Sequence, residues 1–334
     1  MSPVNLTLRQ LDYLVAVAEH GTVTAASHAL HLSQSTVSTA IADLERHLKV
    51  TLFVRHARGL TLTRDGESIV AEARRLLRDA ENLQSHASML GSQLTGALHI
   101  GCYTTIAPFL VPGAVAAFGE RYAAVDVTFS EGSRHQLLDQ LVQGRSDVAV
   151  MYAYRFGNQL SELGHTATRL SAVPPYVLLP PDHRLADAET VTLTELAEDP
   201  FILFDLEPGG TYFLSLFDEA GLTPRIRFRT QSSELTRCLV ARGIGFALLS
   251  QRPRTTVSYE GLEYVTKELV TRPEGLDVVA VTPGGSPPNR RVRAFIQVAR
   301  EVLADHGTPD AATAAHSAEA SAEPNVQTKF RSGG

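Results

Sequence analysis

Ser33, Gln34, Ser35, Ser38 and Thr39 are small or flexible polar residues gathered near the start of one stretch. Side chains of these types bond to phosphate oxygens and to base edges in a DNA groove. Thr24, ten residues before Gln34, belongs to the preceding stretch and adds a further hydroxyl. Arg55, His56 and Arg58 form a short basic cluster that suits phosphate. A second group of polar residues follows apolar runs further along: Tyr103, Thr104 and Thr105 after LHIGC, Ser133 after FSEG, and Tyr152 after VAVM. Phe204 and Asp205 follow FIL, and Thr230 and Gln231 close IRFRT. Hydroxyls, an amide and one acid at strand ends suit reversible binding of a small polar molecule. Each residue also has a plainer role open to it, as a turn or cap. For catalysis the pattern offers little. The chain has no G-x-S-x-G elbow, no H-E-x-x-H pair and no complete phosphate-binding loop, and Gly243 and Gly245 follow a helix-like run instead of a strand. No metal, cofactor or catalytic residue is expected.

The first polar group needs a scaffold, and the flanking apolar spacing supplies one. Leu11, Leu14, Val15 and Ala18 form a helical stripe behind a capping box at Thr7 and Gln10. Gly21 ends that helix, Thr22 can cap the small-residue run VTAASHAL, and Ser33 can cap a third helix. In the third helix Val37, Ile41, Leu44 and Leu48 recur at spacings of four, three and four, which leaves the polar group on the opposite face. Two short helices joined by a tight turn suit entry into a major groove, although a plain three-helix bundle fits the same spacing. The next stretch, LFVRHARGLTLTRDG over 52–66, reads as two short strands around Arg58-Gly59, a basic wing beside the helices.

From Thr63 to Leu90 one long helix is expected. Ile69, Ala73, Leu76, Ala80, Leu83, Ala87 and Leu90 alternate spacings of four and three, a heptad seam suited to pairing with a second copy, with Arg74, Arg75 and Arg78 left to solvent. From Ala97 onward short apolar runs such as VAVMY, YVLLP and LDVVAVT alternate with helix-like stretches such as HQLLDQLVQG and SELTRCLVARG. That alternation predicts an α/β architecture with parallel sheets covered by helices.

The run from Leu8 to Gly66 resembles, without gaps, the DNA-binding domain of the LysR-type transcriptional regulators. Ala25 and Ala26, the pattern LSQSTVS, the pair Leu44-Glu45, and the pieces Leu52-Phe53-x-Arg55 and Leu62-Thr63 carry the resemblance. One departure is local: family members often have a long polar or basic residue after the second serine of the recognition helix, and here Thr39 and Ala40 follow Ser38. The resemblance implies an α/β protein with an N-terminal all-α winged helix-turn-helix at 1–66, a linker and dimerisation helix at 67–95, and an effector-binding domain at 96–303. That domain would be two-lobed and built like a periplasmic solute-binding protein, with one lobe at 96–164 and 266–303 and the other at 165–265. Residues 304–334, rich in Ala, Ser, Thr and Pro, are expected to be a disordered tail. The implied partners are double-stranded promoter DNA, a small-molecule effector and further copies of the chain, as a dimer or tetramer, and RNA polymerase fits the same reading. In the family a hydroxyl matching Thr105 commonly meets the effector, and Thr230 and Gln231 face the same space. The rival reading, a solute-binding protein without a DNA role, leaves the first 90 residues unexplained.

Composition agrees with a cytoplasmic regulator. The chain has 334 residues, 44% of them hydrophobic, and a net charge of −6. Through Asp65 six basic residues outweigh five acidic ones, so the front is weakly basic and the remainder carries −7. No apolar run is long enough for a membrane span, and the start lacks the layout of a signal peptide. Cys102 and Cys238 read as small buried hydrophobes in a reducing compartment. Asp205, with no Lys or Arg in the neighbouring loops, suggests a ligand that bears a donor and argues against a simple dicarboxylate.

Overall fold

The computed structural model describes residues 6–57, 59–87, 94–154, 159–285 and 287–307. Thr7 caps α1 (Leu8–His20) in the expected capping box with Gln10, and Gly21 ends it at φ 67°. Thr22 caps α2 (Val23–Ala29), and Ser33 caps α3 (Gln34–Leu48) by accepting from the Thr36 amide. Leu11, Leu14, Val17, Ala26, Val37, Ile41 and Leu44 meet in one core beneath these helices. The strands β1 (Phe53–His56) and β2 (Gly59–Leu62) pair antiparallel as the wing.

The long helix α4 (Arg64–Ala87) starts within a residue of the expected Thr63, and the Thr63 hydroxyl accepts from the Gly66 amide at its start. It also has two apolar faces where one seam was expected. Val70 and Ala73 are buried in the core of the head, with Ile69 and Leu77 packed against it. Ala73 therefore does not belong to a free seam. Leu76 and Leu83, one heptad apart, stay 46% and 71% exposed. Leu90 and the side chain of Ala87 lie outside the described residues. Two of the flanking arginines are not solvated either. Arg74 reaches Glu19 of α1 at 3.1 Å and the Gln143 carbonyl at 3.3 Å. Arg78 donates to the Gly144 carbonyl and lies 3.6 Å from Asp147. Burial works against the Arg78 charge and Asp147 supports it.

The first lobe is built from β3 (Gly96–Tyr103), α5 (Ala107–Arg121), β4 (Val125–Gly132), α6 (Arg134–Val142), β5 (Val148–Tyr152), α7 (Gln159–Glu162) and β6 (His165–Val173). The second contains β7 (Tyr176–Leu179), β8 (Thr190–Val191), α8 (Leu193–Leu196), β9 (Pro200–Phe204), α9 (Gly209–Glu219), β10 (Arg225–Thr230), α10 (Ser233–Ala241), β11 (Phe246–Leu249) and β12 (Val265–Leu269). The chain then returns through β13 (Leu276–Pro283) and α11 (Arg290–Gly307) to the first lobe. The sheet orders are β4-β3-β5-β13-β6 and β10-β9-β11-β7-β12-β8.

These orders correct three expectations. The sheets are mixed, because β13 runs antiparallel to both β5 and β6, and β7 runs antiparallel to β11 and β12. The first crossing between lobes comes after Val173 instead of Gly164, since His165–Val173 pairs along β13. The return comes after Leu269 instead of Val265, since β12 pairs with β7 and β8. Periodicity marks a strand but not its partner, so neither crossing could be placed from the apolar runs. Helix α11 continues to Gly307, past the expected limit at 303, and residues 308–334 lie outside those described.

Candidate functional site

Two surfaces gather the polar residues singled out above. The first is the exposed side of α3 with the wing. Val37, Ile41 and Leu44 point into the core, which turns Gln34, Ser35 and Thr39 outward, with Ser38 half-buried. Gln34 and Thr24 bond to each other at 2.7 Å, locking α3 against α2. Ser33 is exposed and already committed as a cap, with bonds to Ser35 and Thr36 hydroxyls at 2.9 and 2.7 Å. Arg55 and His56 are exposed on β1, while Arg58 lies outside the described residues. The wing is stitched to the helices at two points. The Leu60 amide donates to the Gly21 carbonyl at 2.7 Å. Glu45 of α3 accepts from the amides of Leu52 and Phe53 at 2.7 and 3.3 Å. Gly59 is required beside that stitch: its φ is 133°, and a side-chain carbon there would lie 2.5 Å from the Gly21 carbonyl oxygen. The anchoring by Glu45 was invisible to residue patterning, which recorded the Leu44-Glu45 pair without a role.

An exposed guanidinium on a rigid wing suits contact with phosphate. Arg55→Ala is expected to weaken binding to every duplex tested and to lower the log–log salt slope by about 0.9. Anisotropy titrations between about 50 and 200 mM salt check this. An unchanged slope would remove Arg55 from the interface.

The second surface is a narrow cleft between the lobes, open to solvent on one side. Tyr103, Thr105, Phe109 and Tyr152 line it from the first lobe, and Phe204, Phe213, Arg237, Leu249, Ser250 and Gln251 from the second. It opens into a wider mouth lined by Thr104, Gln231, Glu234 and Arg254. Hydroxyls tie the lobes across it. Gln251 donates to the Tyr152 hydroxyl at 3.1 Å, Thr105 lies 3.3 Å from the same oxygen, and Tyr103 donates to the Glu207 carbonyl. Tyr154 and Ser215 hydroxyls meet at 2.9 Å, and Arg134 reaches Glu207 at 2.5 Å. Burial pushes the Tyr152 hydroxyl up to about 12, so it remains a neutral donor and acceptor at physiological pH.

Tyr103, Thr105, Tyr152 and Phe204 line the inner cleft, and Thr104 and Gln231 line its mouth. Three expected residues serve elsewhere. Ser133 caps α6 in a capping box with Gln136. The Thr230 hydroxyl accepts from the Ser232 amide in a turn. Asp205 pairs with Arg229 at 3.0 Å, and its amide donates to the Thr230 carbonyl. Parallel pairing of β9 with β10 sets Leu203 opposite Arg229 and so brings that arginine to Asp205. The charge argument against dicarboxylates fails with this pairing, because Asp205 is neither unpartnered nor part of the cavity wall.

The residue that sequence reasoning missed is Arg237. It lines both the cleft and its mouth, and its side chain is only 9% exposed. Its Nη1 donates to Glu234 at 3.2 Å and its Nη2 to the Gln251 carbonyl at 3.3 Å. Its Nε and the hydroxyl of Ser250 are buried with no hydrogen-bond partner from the chain. A buried donor left without an acceptor costs about 1–3 kcal/mol. The available signal was spacing: Ser233 and Arg237 stand one helical turn apart on α10 and both line the cleft.

Comparison with known proteins gives two matches to family models. Residues 8–67 match the bacterial regulatory helix-turn-helix protein of the lysR family, and residues 91–304 match the LysR substrate binding domain. The hydrogen peroxide-inducible genes activator of Pectobacterium carotovorum is 32% identical over 73% of this chain and 80% of its own length. Among solved structures, HinK, a LysR family transcriptional regulator from Pseudomonas aeruginosa, is 33% identical with a TM-score of 0.59, covering 89% of this chain and 98% of that one. A full-length variant of OxyR from the same organism, with one cysteine replaced by aspartate, is 25% identical with a TM-score of 0.70, covering 89% and 95%.

Proposed function

This chain belongs to the LysR family of transcriptional regulators, and on that premise we propose that α3 and the wing hold promoter DNA while the interlobe cleft takes the effector that sets the regulator's state. The family assigns the two activities, DNA binding by the helix-turn-helix and effector binding by the α/β domain. The residues that carry them follow from the geometry. Gln34, Ser35, Ser38 and Thr39 read bases or backbone in the major groove, and Arg55 and His56 contact phosphate. Thr24 and Ser33 position that face more than they touch DNA, because both are tied up within the head. Leu76, Ala80 and Leu83 form the side of α4 that meets a second copy. Promoter DNA places the protein in the cytoplasm, and no described helix is long and apolar enough to cross a membrane.

The observation that carries the effector assignment is that the cleft draws its walls from both lobes. A molecule touching both walls favours the closed arrangement, and binding shifts the population toward it. The signal has a physical route to the head. Tyr152 ends β5 in the cleft, and Asp147, just before the other end of β5, holds Arg78 of α4.

One relative is an activator of hydrogen peroxide-inducible genes, and a second mode of control for this chain would be oxidation of its own thiols. The two cysteines of this chain argue against it. Cys102 is fully buried in β3 of the first lobe, and burial pushes its thiol well above the usual range, away from the reactive thiolate. Cys238 lies half-buried on α10 in the second lobe, 3.8 Å from Glu234, while Cys102 sits in the first lobe, and both are free thiols. Hydrogen peroxide is therefore expected to leave the footprint on promoter DNA unchanged, and the double variant Cys102→Ala/Cys238→Ala to regulate a reporter like the parent. A peroxide-dependent footprint that disappears in the double variant would reverse this reading.

A further inference from the structure

Helix α4 meets different neighbours on different sides. Val70 and Ala73 are buried in the core of the head, so the first half of the helix belongs to that body. Leu76 and Leu83 lie exposed on a second side. Arg74 and Arg78 stand one turn apart on a third, roughly opposite Leu83 at about 3.6 residues per turn. Both arginines reach the turn that ends α6 in the first lobe. Arg74 donates to the Gln143 carbonyl at 3.3 Å and Arg78 to the Gly144 carbonyl. Carbonyls at the end of a helix have no intrahelical partner and lie at its negative pole. Arg78 also lies 3.6 Å from Asp147. Asp147 is itself fixed, because its carboxylate accepts from the His99 amide at 2.8 Å and its own amide donates to the His99 carbonyl at 2.8 Å. Arg74 turns back to Glu19, on the last turn of α1, at 3.1 Å. One side chain thus touches the head and the first lobe together. Gly144 shows how closely the parts fit: its φ is 64°, and a side-chain carbon there would lie 2.8 Å from Arg78 Nη2 and 3.1 Å from Arg74 Cβ. The side chains of Arg74, Arg78 and Asp147 are all largely buried.

We propose that Arg74 and Arg78 are positioning residues for DNA binding: they clamp α4 to the end of α6 and so fix the direction in which the head points from the first lobe. The proposal rests on the reading of the head as the DNA-binding unit and needs no ligand in the cleft. A buried ion pair adds little net stability, since desolvation offsets the attraction, and its effect here is on geometry. Two charge-assisted contacts one helical turn apart resist both sliding and rotation of the helix, which a single contact does not do. In a dimer the side of α4 around Leu83 pairs the two helices. The clamp on the other side ties that pair to the bulk of the two effector domains, so that the helices keep one angle. Both heads are then aimed before DNA arrives, and the second half-site is met at a high effective concentration. Without the clamp each head still reads its half-site, but the two are aimed by the α4 pairing alone.

Two measurements on the full-length chain test the clamp. The first is a distance from head to lobe, read by double electron–electron resonance in a Cys238→Ala background. Nitroxide labels stand at Arg9→Cys on α1 and Glu120→Cys on α5, both exposed positions, while Cys102 is fully buried and stays unlabelled. Dilution with excess unlabelled chain leaves one labelled subunit per assembly. The parent is expected to give one narrow distance, and Arg78→Met a distribution that spreads or shifts. The second measurement compares duplexes from the DNA upstream of its own gene, with one half-site or with both. Arg78→Met should bind the double site about tenfold more weakly, with affinity for the single half-site kept within about twofold. Arg74→Met, which removes the links to Glu19 and Gln143, serves if Arg78→Met fails to fold. Arg75→Met removes an exposed arginine paired with Glu72 and should match the parent in both measurements. A loss of affinity that falls equally on the single half-site, or an Arg75→Met that behaves like Arg78→Met, would overturn the proposal. Absence of specific DNA binding in the parent would overturn the reading of the head beneath it. A parent that binds, with both Arg74→Met and Arg78→Met keeping its distance and its affinities, would overturn the clamp alone.

Discussion

Replacing Leu83 with Glu is expected to abolish the dimer and, with it, specific DNA binding. Leu83 is 71% exposed on α4 and packs into no core of its own chain, so the substitution leaves the protomer's fold intact. In a two-fold dimer each change enters twice. Burying a carboxylate without a partner costs about 3–5 kcal/mol. Two copies therefore weaken association by several orders of magnitude. Sedimentation of the full-length protein at micromolar concentration reads the change, and far-ultraviolet dichroism confirms that the helices persist. A Leu83→Glu protein that remains associated to the same extent would move the interface off this face.

Gly66→Ala is expected to remove DNA binding by a different route. An added carbon at Gly66 would lie 2.1 Å from the Leu52 carbonyl oxygen, which is closer than any real contact. Leu52 is fully buried, and its amide is held by Glu45, so the strand leading into the wing has no room to yield. The cost is about 1–3 kcal/mol, concentrated in the head. Two-step thermal unfolding should show the head's transition lowered and the effector domain's unchanged. Gly119→Ala provides the contrast, since nothing lies within 4 Å of the added carbon on α5. There the better helix propensity should stabilise by about 0.5–1 kcal/mol. If Gly66→Ala behaves like Gly119→Ala, the close packing of α4 on the wing is wrong.

These two glycines show what residue patterning can and cannot read. Both are glycines in or near helix-like runs, and only the approach of Leu52 distinguishes them. The head was legible nearly throughout, because caps at Thr7, Thr22 and Ser33 and the stripe through Val37, Ile41 and Leu44 are local signals. The strands of the effector domain were legible as elements, but their partners were not. Pairing between distant strands moved the lobe crossings and gave Asp205 its arginine from β10. The same limit hid Ala73, which satisfies a heptad but faces the head, and Arg74 and Arg78, which look like solvated charges until the first lobe packs against them. Arg237 was missed for the converse reason. An arginine in a helix is ordinarily solvated, and only the fold shows that α10 turns it into the cleft.

In the proposed function a DNA-reading head answers to a small molecule held between the two lobes. Footprinting of the full-length protein on the DNA upstream of its own gene tests it most directly, with and without a deproteinised small-molecule extract of the cell. Protection of two half-sites separated by about one helical turn, or a multiple of it, is expected. Also expected are a shift of that pattern when the extract is added, and loss of the shift, with DNA binding retained, in Thr105→Trp. Absence of sequence-specific protection would contradict the assignment of the head, and an identical shift in Thr105→Trp would contradict control through the cleft.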